Sequence, residues 1–213
     1  MNHLALRLHG ALGLLIGLAP VAFAASSVDL TVHGSITPSA CSIGLDNEGR
    51  IDFGKIAARS LNPETFTPLP PAALSLGVNC DAAAIFALRL TDYRADSNAT
   101  PPIGFGLGLI NGIERLGVYH VGLHTPLADN GPITQLQSLN NGQSWSVVDS
   151  GVALPALRLA AFGDASSGVW APVPIKDLRV AMRVTTYIAP AQGLTLDKEV
   201  PLDGSALLEL IYL

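Results

Sequence analysis

An all-β chain folded as one antiparallel β-sandwich is the architecture the sequence predicts, on three observations. Helical periodicity is nearly absent, while short stretches alternate apolar and polar residues with the period of two that marks a half-buried strand. The 21 glycines and 15 prolines punctuate those stretches at turn-like intervals. Hydrophobic residues make up 49% of the chain, which supports a packed core and excludes a disordered polymer. The 213 residues contain about ten strand candidates, no internal repeat and no linker, so one domain accounts for them.

The elements follow in order. Residues 1–24 carry Arg7 ahead of the apolar run ALGLLIGLA and end on Ala22-Phe23-Ala24, a small-x-small cleavage site. This is the pattern of a cleaved secretory signal peptide, too short to span a bilayer, and it predicts an exported, soluble product that begins near Ala25. Residues 26–41, SSVDLTVHGSITPSAC, alternate Val28, Leu30, Val32, Gly34 and Ile36 against Asp29, Thr31, His33 and Ser35. That is a strand with one apolar face, and the glycine leaves a notch in it. RIDFGKI (50–56) reads as a strand and ETFTPLPP (64–71) as a loop or edge crossover. ALSLGVNC (73–80) and AIFALRLTDY (84–93) are strands separated by a break at Asp81. RADSNATPPI (94–103) is a polar loop. GFGLGLI, RLGVYHVGL, SWSVVDSG, ALPALRLAAF (153–162), DLRVAMRVTTYI (177–188) and SALLELIYL (205–213) complete the strands. In the last, Leu208, Leu210 and Tyr212 share one face; Leu207, Ile211 and Leu213 share the other, interrupted by Glu209. Such a strand needs a fixed place in a sheet.

Export bears on the two cysteines, Cys41 and Cys80. In an oxidising compartment they are expected to pair, and closing a loop of about 40 residues contributes roughly 4 kcal/mol on the chain-entropy model. Two cysteines and the scattered His33, His120 and His124 form no metal-ligand cluster, and no cofactor is expected. Without Arg7 the chain has 11 basic against 17 acidic residues, a formal charge of −6. That acidity argues against nucleic acid and anionic membrane surfaces as partners.

Three of these features together resemble the pilin subunits of chaperone–usher fimbriae. They are the alternating N-terminal segment with Gly34 and a cysteine seven residues on, the run RIDFGKI followed by LSLGVNC, and the apolar C-terminal strand with its penultimate Tyr212. Within that superfamily the chain is most similar to a family of β-fimbria-type, pilin-like exported proteins long catalogued as a domain of unknown function. LTDYRADS, FGLGL, GVYHVGL, NNGQSW and LDGSALLELIYL carry that likeness. The chain is somewhat longer than a compact pilin, which leaves a stalk, adaptor or tip position open and the loops of 94–170 without an assigned role.

The resemblance implies an immunoglobulin-like sandwich of incomplete, pilin type over residues 37–213, preceded by a donor-strand extension at 25–36. Its open groove would take a strand first from a periplasmic chaperone, then from the next subunit, with an outer-membrane usher directing assembly. Val28, Leu30, Val32 and Ile36 would then plug a neighbour's groove, with Gly34 where the floor is too shallow for a side chain. Four plugs contribute roughly 6–12 kcal/mol before ordering costs. Leu208, Leu210 and Tyr212 would line the groove, and Leu213 would be the carboxyl-terminal end gripped by the chaperone. The expected role is a structural fimbrial subunit on the cell surface, supporting adhesion and biofilm formation. The alternatives are a minor or tip adhesin, a stand-alone carbohydrate-binding sandwich, or an edge strand within the chain's own domain at 28–36.

An enzyme is not expected. SLNNGQSW (138–145) fits an Asp-box hairpin, whose chemistry is structural, and it occurs once. Asp92, Asp96 and Asp129 read as turn formers. His120 and His124 share one face of a strand about 13 Å apart, too far to hold one metal together. GFGLG has no following helix to cradle phosphate. Ser97 and Ser144 lack a nucleophile elbow. Asn98-Ala99-Thr100 fits a glycosylation pattern and reads here as a polar loop.

Overall fold

The computed structural model describes residues 31–33, 40–129 and 131–213. The chain divides into two units, Met1–Ile36 and Thr37–Leu213. Of the first, Thr31, Val32 and His33 are described; they are exposed and lack regular secondary structure. Val28, Leu30, Gly34 and Ile36, like the signal segment 1–24, lie outside the described residues.

The second unit is an all-β, antiparallel, immunoglobulin-like sandwich. Its strands are β1 (Cys41–Leu45), β2 (Thr67–Pro68), β3 (Ala72–Ala84), β4 (Phe86–Asp92), β5 (Phe105–Gly106), β6 (Leu109–Ile110), β7 (Glu114–Arg115) and β8 (Gly117–Ala128). They continue with β9 (Gly131–Pro132), β10 (Thr134–Ser138), β11 (Ser146–Val147), β12 (Leu159–Asp164), β13 (Ala171–Pro172), β14 (Ile175–Ile188) and β15 (Ala206–Tyr212). One sheet runs β1-β3-β14-β8-β5, with β2 on β14 and β9 on β8. The other runs β11-β10-β12-β4-β15, with β13 on β12, and β6 and β7 form a small hairpin.

Alternation decides what each long strand buries. Leu74, Leu76, Val78 and Cys80 of β3 point inward, as do Leu178, Val180, Met182 and Val184 of β14 and Val121 and Leu123 of β8. They meet Phe86, Leu88 and Leu90 of β4 and Ala160 and Phe162 of β12. Each large aliphatic side chain so buried contributes about 1.5–3 kcal/mol. A second apolar cluster, Leu107, Ile110, Leu116 and Ile188, is packed against the half-buried Leu61, Leu69, Leu194, Leu196, Val200 and Leu202. Cys41 and Cys80 are bonded and stand directly opposite one another in the β1–β3 ladder, so the disulfide ties an edge strand to the sheet interior.

Several strand expectations need correction. RIDFGKI is not a strand. Asp52 accepts a hydrogen bond from the Gly54 N–H at 2.7 Å and Gly54 adopts φ +62°, a turn that breaks the run. β3 continues past Asp81 to Ala84, without the expected break. In 153–162 only the part from Leu159 is strand, because Pro155 and the positive φ of Leu157 bend what precedes it. GFGLGLI divides into β5 and β6 around Gly108, whose φ is +97°. β10, TQLQS, was not anticipated, because its polar residues mask a strand that buries Gln135 to 4% exposure.

Candidate strand-accepting groove

Among the described residues, β1 pairs only with β3 and β15 only with β4, so each sheet ends on a free edge. The pairing phase fixes which backbone groups are left over. The Asp81 N–H donates to the Ala40 carbonyl at 3.1 Å. By antiparallel alternation, the groups of Cys41, Ile43 and Leu45 then face away from β3. On the other edge, the Tyr93 N–H donates to the Ser205 carbonyl and the Leu213 N–H to the Ile85 carbonyl, both at 3.0 Å. The same alternation turns the backbone groups of Ala206, Leu208, Leu210 and Tyr212 outward from β4.

The two edges stand across an apolar trough. Leu45, Leu90, Tyr119, Val184, Ala206 and Leu208 line its first part, a cavity of about 200 Å³. Ile56, Leu61, Leu116, Ile188, Leu196 and Val200 line a second part of about 450 Å³. Ile51, Phe53 and Leu202 line both depressions. Over the second part the Lys55 ammonium meets the Glu199 carboxylate at 3.2 Å; both side chains are almost fully exposed, so the pair is worth little and opens easily.

The strand ends define direction. Tyr212 lies beside Cys41, whose N–H donates to the Tyr212 hydroxyl at 2.8 Å, while Leu45 shares the trough with Ala206 and Leu208. β1 and β15 therefore run in opposite senses across the gap, and a strand laid between them would be parallel to one and antiparallel to the other. The Tyr212 hydroxyl spans the gap at the disulfide end and occupies one of the outward β1 donors.

Polar contacts hold the trough's wall in place. Arg94 forks onto Asp203 at 2.9 and 3.0 Å, and the Asp203 N–H donates to the Leu107 carbonyl at 2.9 Å. The hydrogen bond and charge of Asp203 raise the pKa of Arg94, keeping the guanidinium charged. Asp92 receives the N–H groups of Arg94 and Gly106 at 2.7 and 2.9 Å. Gly106 is packed so closely on the Arg94 carbonyl and the Ser97 hydroxyl that a Cβ has no room. Tyr119 stacks on Phe105 with ring centres 5.2 Å apart, and burial raises its phenol pKa well above the usual value.

The residues assigned from sequence fall as follows. Leu208 and Leu210 pack against the core, and Leu208 lines the trough. Tyr212 is 52% exposed and reaches Cys41; Leu213 is 50% exposed and its N–H is held by Ile85. Val32 is 87% exposed; the other donor-strand positions lie outside the described residues. Leu45, Ile51, Phe53, Tyr119 and Leu202 were not anticipated as lining, and no local pattern marks them, since they meet only through the tertiary fold.

Several residues of the other motifs make contacts within the fold. The Asn140 side-chain oxygen accepts from the Ser144 N–H at 2.9 Å, Asn141 and Gly142 take positive φ, and Trp145 packs against the Ala87–Leu159–Ala161 cluster. Asp129 caps the Asp177 N–H at 2.7 Å. Asn98 is 5% exposed and its amide donates to the Ile103 and Gly104 carbonyls, which makes it an internal loop brace. Among the described residues no three His, Cys, Asp or Glu side chains are placed to share a metal.

Residues 30–108 match a family described as "Protein of unknown function (DUF1120)", a stretch that spans β1, both cysteines, β3, β4 and β5. The chain is also similar to the uncharacterized protein YhcF of Escherichia coli (strain K12). The two are 23% identical over 229 residues, an alignment that takes in 89% of this chain and 92% of that protein.

Proposed function

We propose that this protein is a structural subunit of a chaperone–usher type fimbria, exported by a cleaved signal peptide and polymerised by strand donation between copies or related subunits. The observation that carries the reading is the pair of facing free edges, β1 and β15, over the apolar depression lined by Leu45, Ala206 and Leu208. Free edges of this kind bind an added strand through main-chain hydrogen bonds, and pockets below select its alternate side chains.

The chain carries a segment of matching chemistry. As a strand, nine residues such as 28–36 would extend over roughly 25–30 Å at about 3.3 Å per residue, comparable with the seven residues of β15 plus the trough beyond them. Val28, Leu30, Val32 and Ile36 supply the side chains, and Gly34 sets the register at a shallow point. Because the segment of one copy fills the groove of the next, the contact is head to tail and does not close, which builds a filament. The Cys41–Cys80 disulfide fits export through an oxidising compartment. Before assembly the groove would be held by a periplasmic chaperone, with Leu213 at the anchored end, and delivered to an outer-membrane usher.

Co-expression with a periplasmic chaperone tests the reading. Deletion of residues 25–36 is expected to leave a 1:1 chaperone complex but to abolish donation to another subunit. Polymerisation at the undeleted level after that deletion would refute the assignment.

A further inference from the structure

A second feature lies on the opposite side of the same sheet, away from the core. The outward residues of β8 are His120, Gly122 and His124; those of β14 opposite them are Thr185, Arg183 and Ala181, paired row by row. Arg183 therefore stands beside a glycine, with a histidine one row away in each direction. The backbone of Gly151 lies over Gly122, and beside it is a cavity of about 310 Å³ bounded by His120, His124, Arg183, Thr185, Ile103 and Ala153. It far exceeds the ~10–15 Å³ that houses one water.

The walls are built closely. Gly151 has φ +83° and lies so near the His124 ring that a Cβ would collide with it, and a Cβ on Gly122 would come within 2.8 Å of the Gly151 carbonyl. His120 is set edge-on to Tyr187 with ring centres 5.9 Å apart, and its Nδ1 is buried without a hydrogen-bond partner among the described residues. Burial lowers its pKa, so at neutral pH it presents an uncharged ring. No carboxylate lines the cavity, and among the described residues Arg183 forms no ion pair.

We infer that this cavity binds a sugar acid, a pyranose whose carboxylate pairs with Arg183 and whose hydroxyls reach His120 and Thr185 in the neighbouring row. The guanidinium fork matches a carboxylate in bidentate geometry. Imidazole and hydroxyl groups both give and accept hydrogen bonds, as sugar hydroxyls require. Ile103 and Ala153 offer apolar surface to the ring's C–H groups. A bare inorganic anion satisfies the arginine alone and leaves His120 and Thr185, paired in the neighbouring row, without a partner. The site is independent of the groove and stands whether or not the chain polymerises.

The test is calorimetric titration of the full chain, disulfide formed, with methyl glucuronide, methyl glucoside and sodium sulfate as separate probes. Saturable binding of the glucuronide is expected, with glucoside and sulfate each about tenfold weaker or more. Arg183→Gln is expected to weaken glucuronide binding by about tenfold or more while leaving the melting temperature unchanged, because Arg183 is exposed and unpaired in its row. Thr185→Val, outside the charge pairing, is expected to weaken glucuronide more than sulfate. Absence of saturable glucuronide binding, equal binding of glucoside or sulfate, or full retention in Arg183→Gln would each overturn the inference.

Discussion

At the residue scale, Tyr212 joins the two free edges by one hydrogen bond between positions 171 apart in sequence. Tyr212→Phe keeps the ring and removes the hydroxyl, so a loss of about 0.5–1.5 kcal/mol is expected in urea denaturation; unchanged stability would show that the contact does not bridge the edges. His120 gives a pH dependence. Its folded pKa is depressed below 6.5 by burial, so the unfolded chain takes up the proton first as pH falls. Its contribution is complete above pH 6.5 and is lost as pH drops toward the folded value. The melting temperature of His120→Gln should accordingly fall less than that of the parent chain between pH 7 and pH 5. Some residue roles were legible in advance because they are local: the Asn-Gly turn of 140–145 needs only its neighbours, and two cysteines in one chain have one intramolecular pairing. The Tyr212–Cys41 contact and the Arg183 row were not legible, since strand register alone creates them.

At the scale of elements, the long alternating strands β3, β4, β14 and β15 could be read from sequence because one buried face forces a period of two. The failures have physical causes. RIDFGKI has strand-like composition, but the Asp52–Gly54 turn holds it as irregular chain whose Ile51 and Phe53 line the trough. β10 is a true strand with glutamine where an aliphatic residue is usual, and pairing with β12 overrides that composition. Leu76→Ala, at a position with no exposure, should destabilise the sandwich by about 2–5 kcal/mol, read by chemical denaturation. Gly34→Leu should leave folding and chaperone binding intact and block subunit joining, read as loss of multimers; multimers at the parent level would remove the register role assigned to Gly34.

For the molecule as a whole, one disulfide anchors β1, an edge strand whose ladder is with β3 alone among the described residues. Reduction should cost roughly 4 kcal/mol of stability and release β1 first, visible as faster amide exchange at Ser42 and Gly44, whose N–H groups face β3, than in β3 itself. The central claim is that the interior between β1 and β15 is finished by a strand equivalent to residues 26–36. The most direct measurement is thermal denaturation of the chain lacking residues 25–36, with and without the synthetic peptide SSVDLTVHGSI. The account predicts a 1:1 complex and a melting temperature that rises with peptide concentration, as mass action requires, and no rise with the Gly34→Leu peptide. A truncated chain that is a stable monomer, indifferent to the peptide, would contradict it.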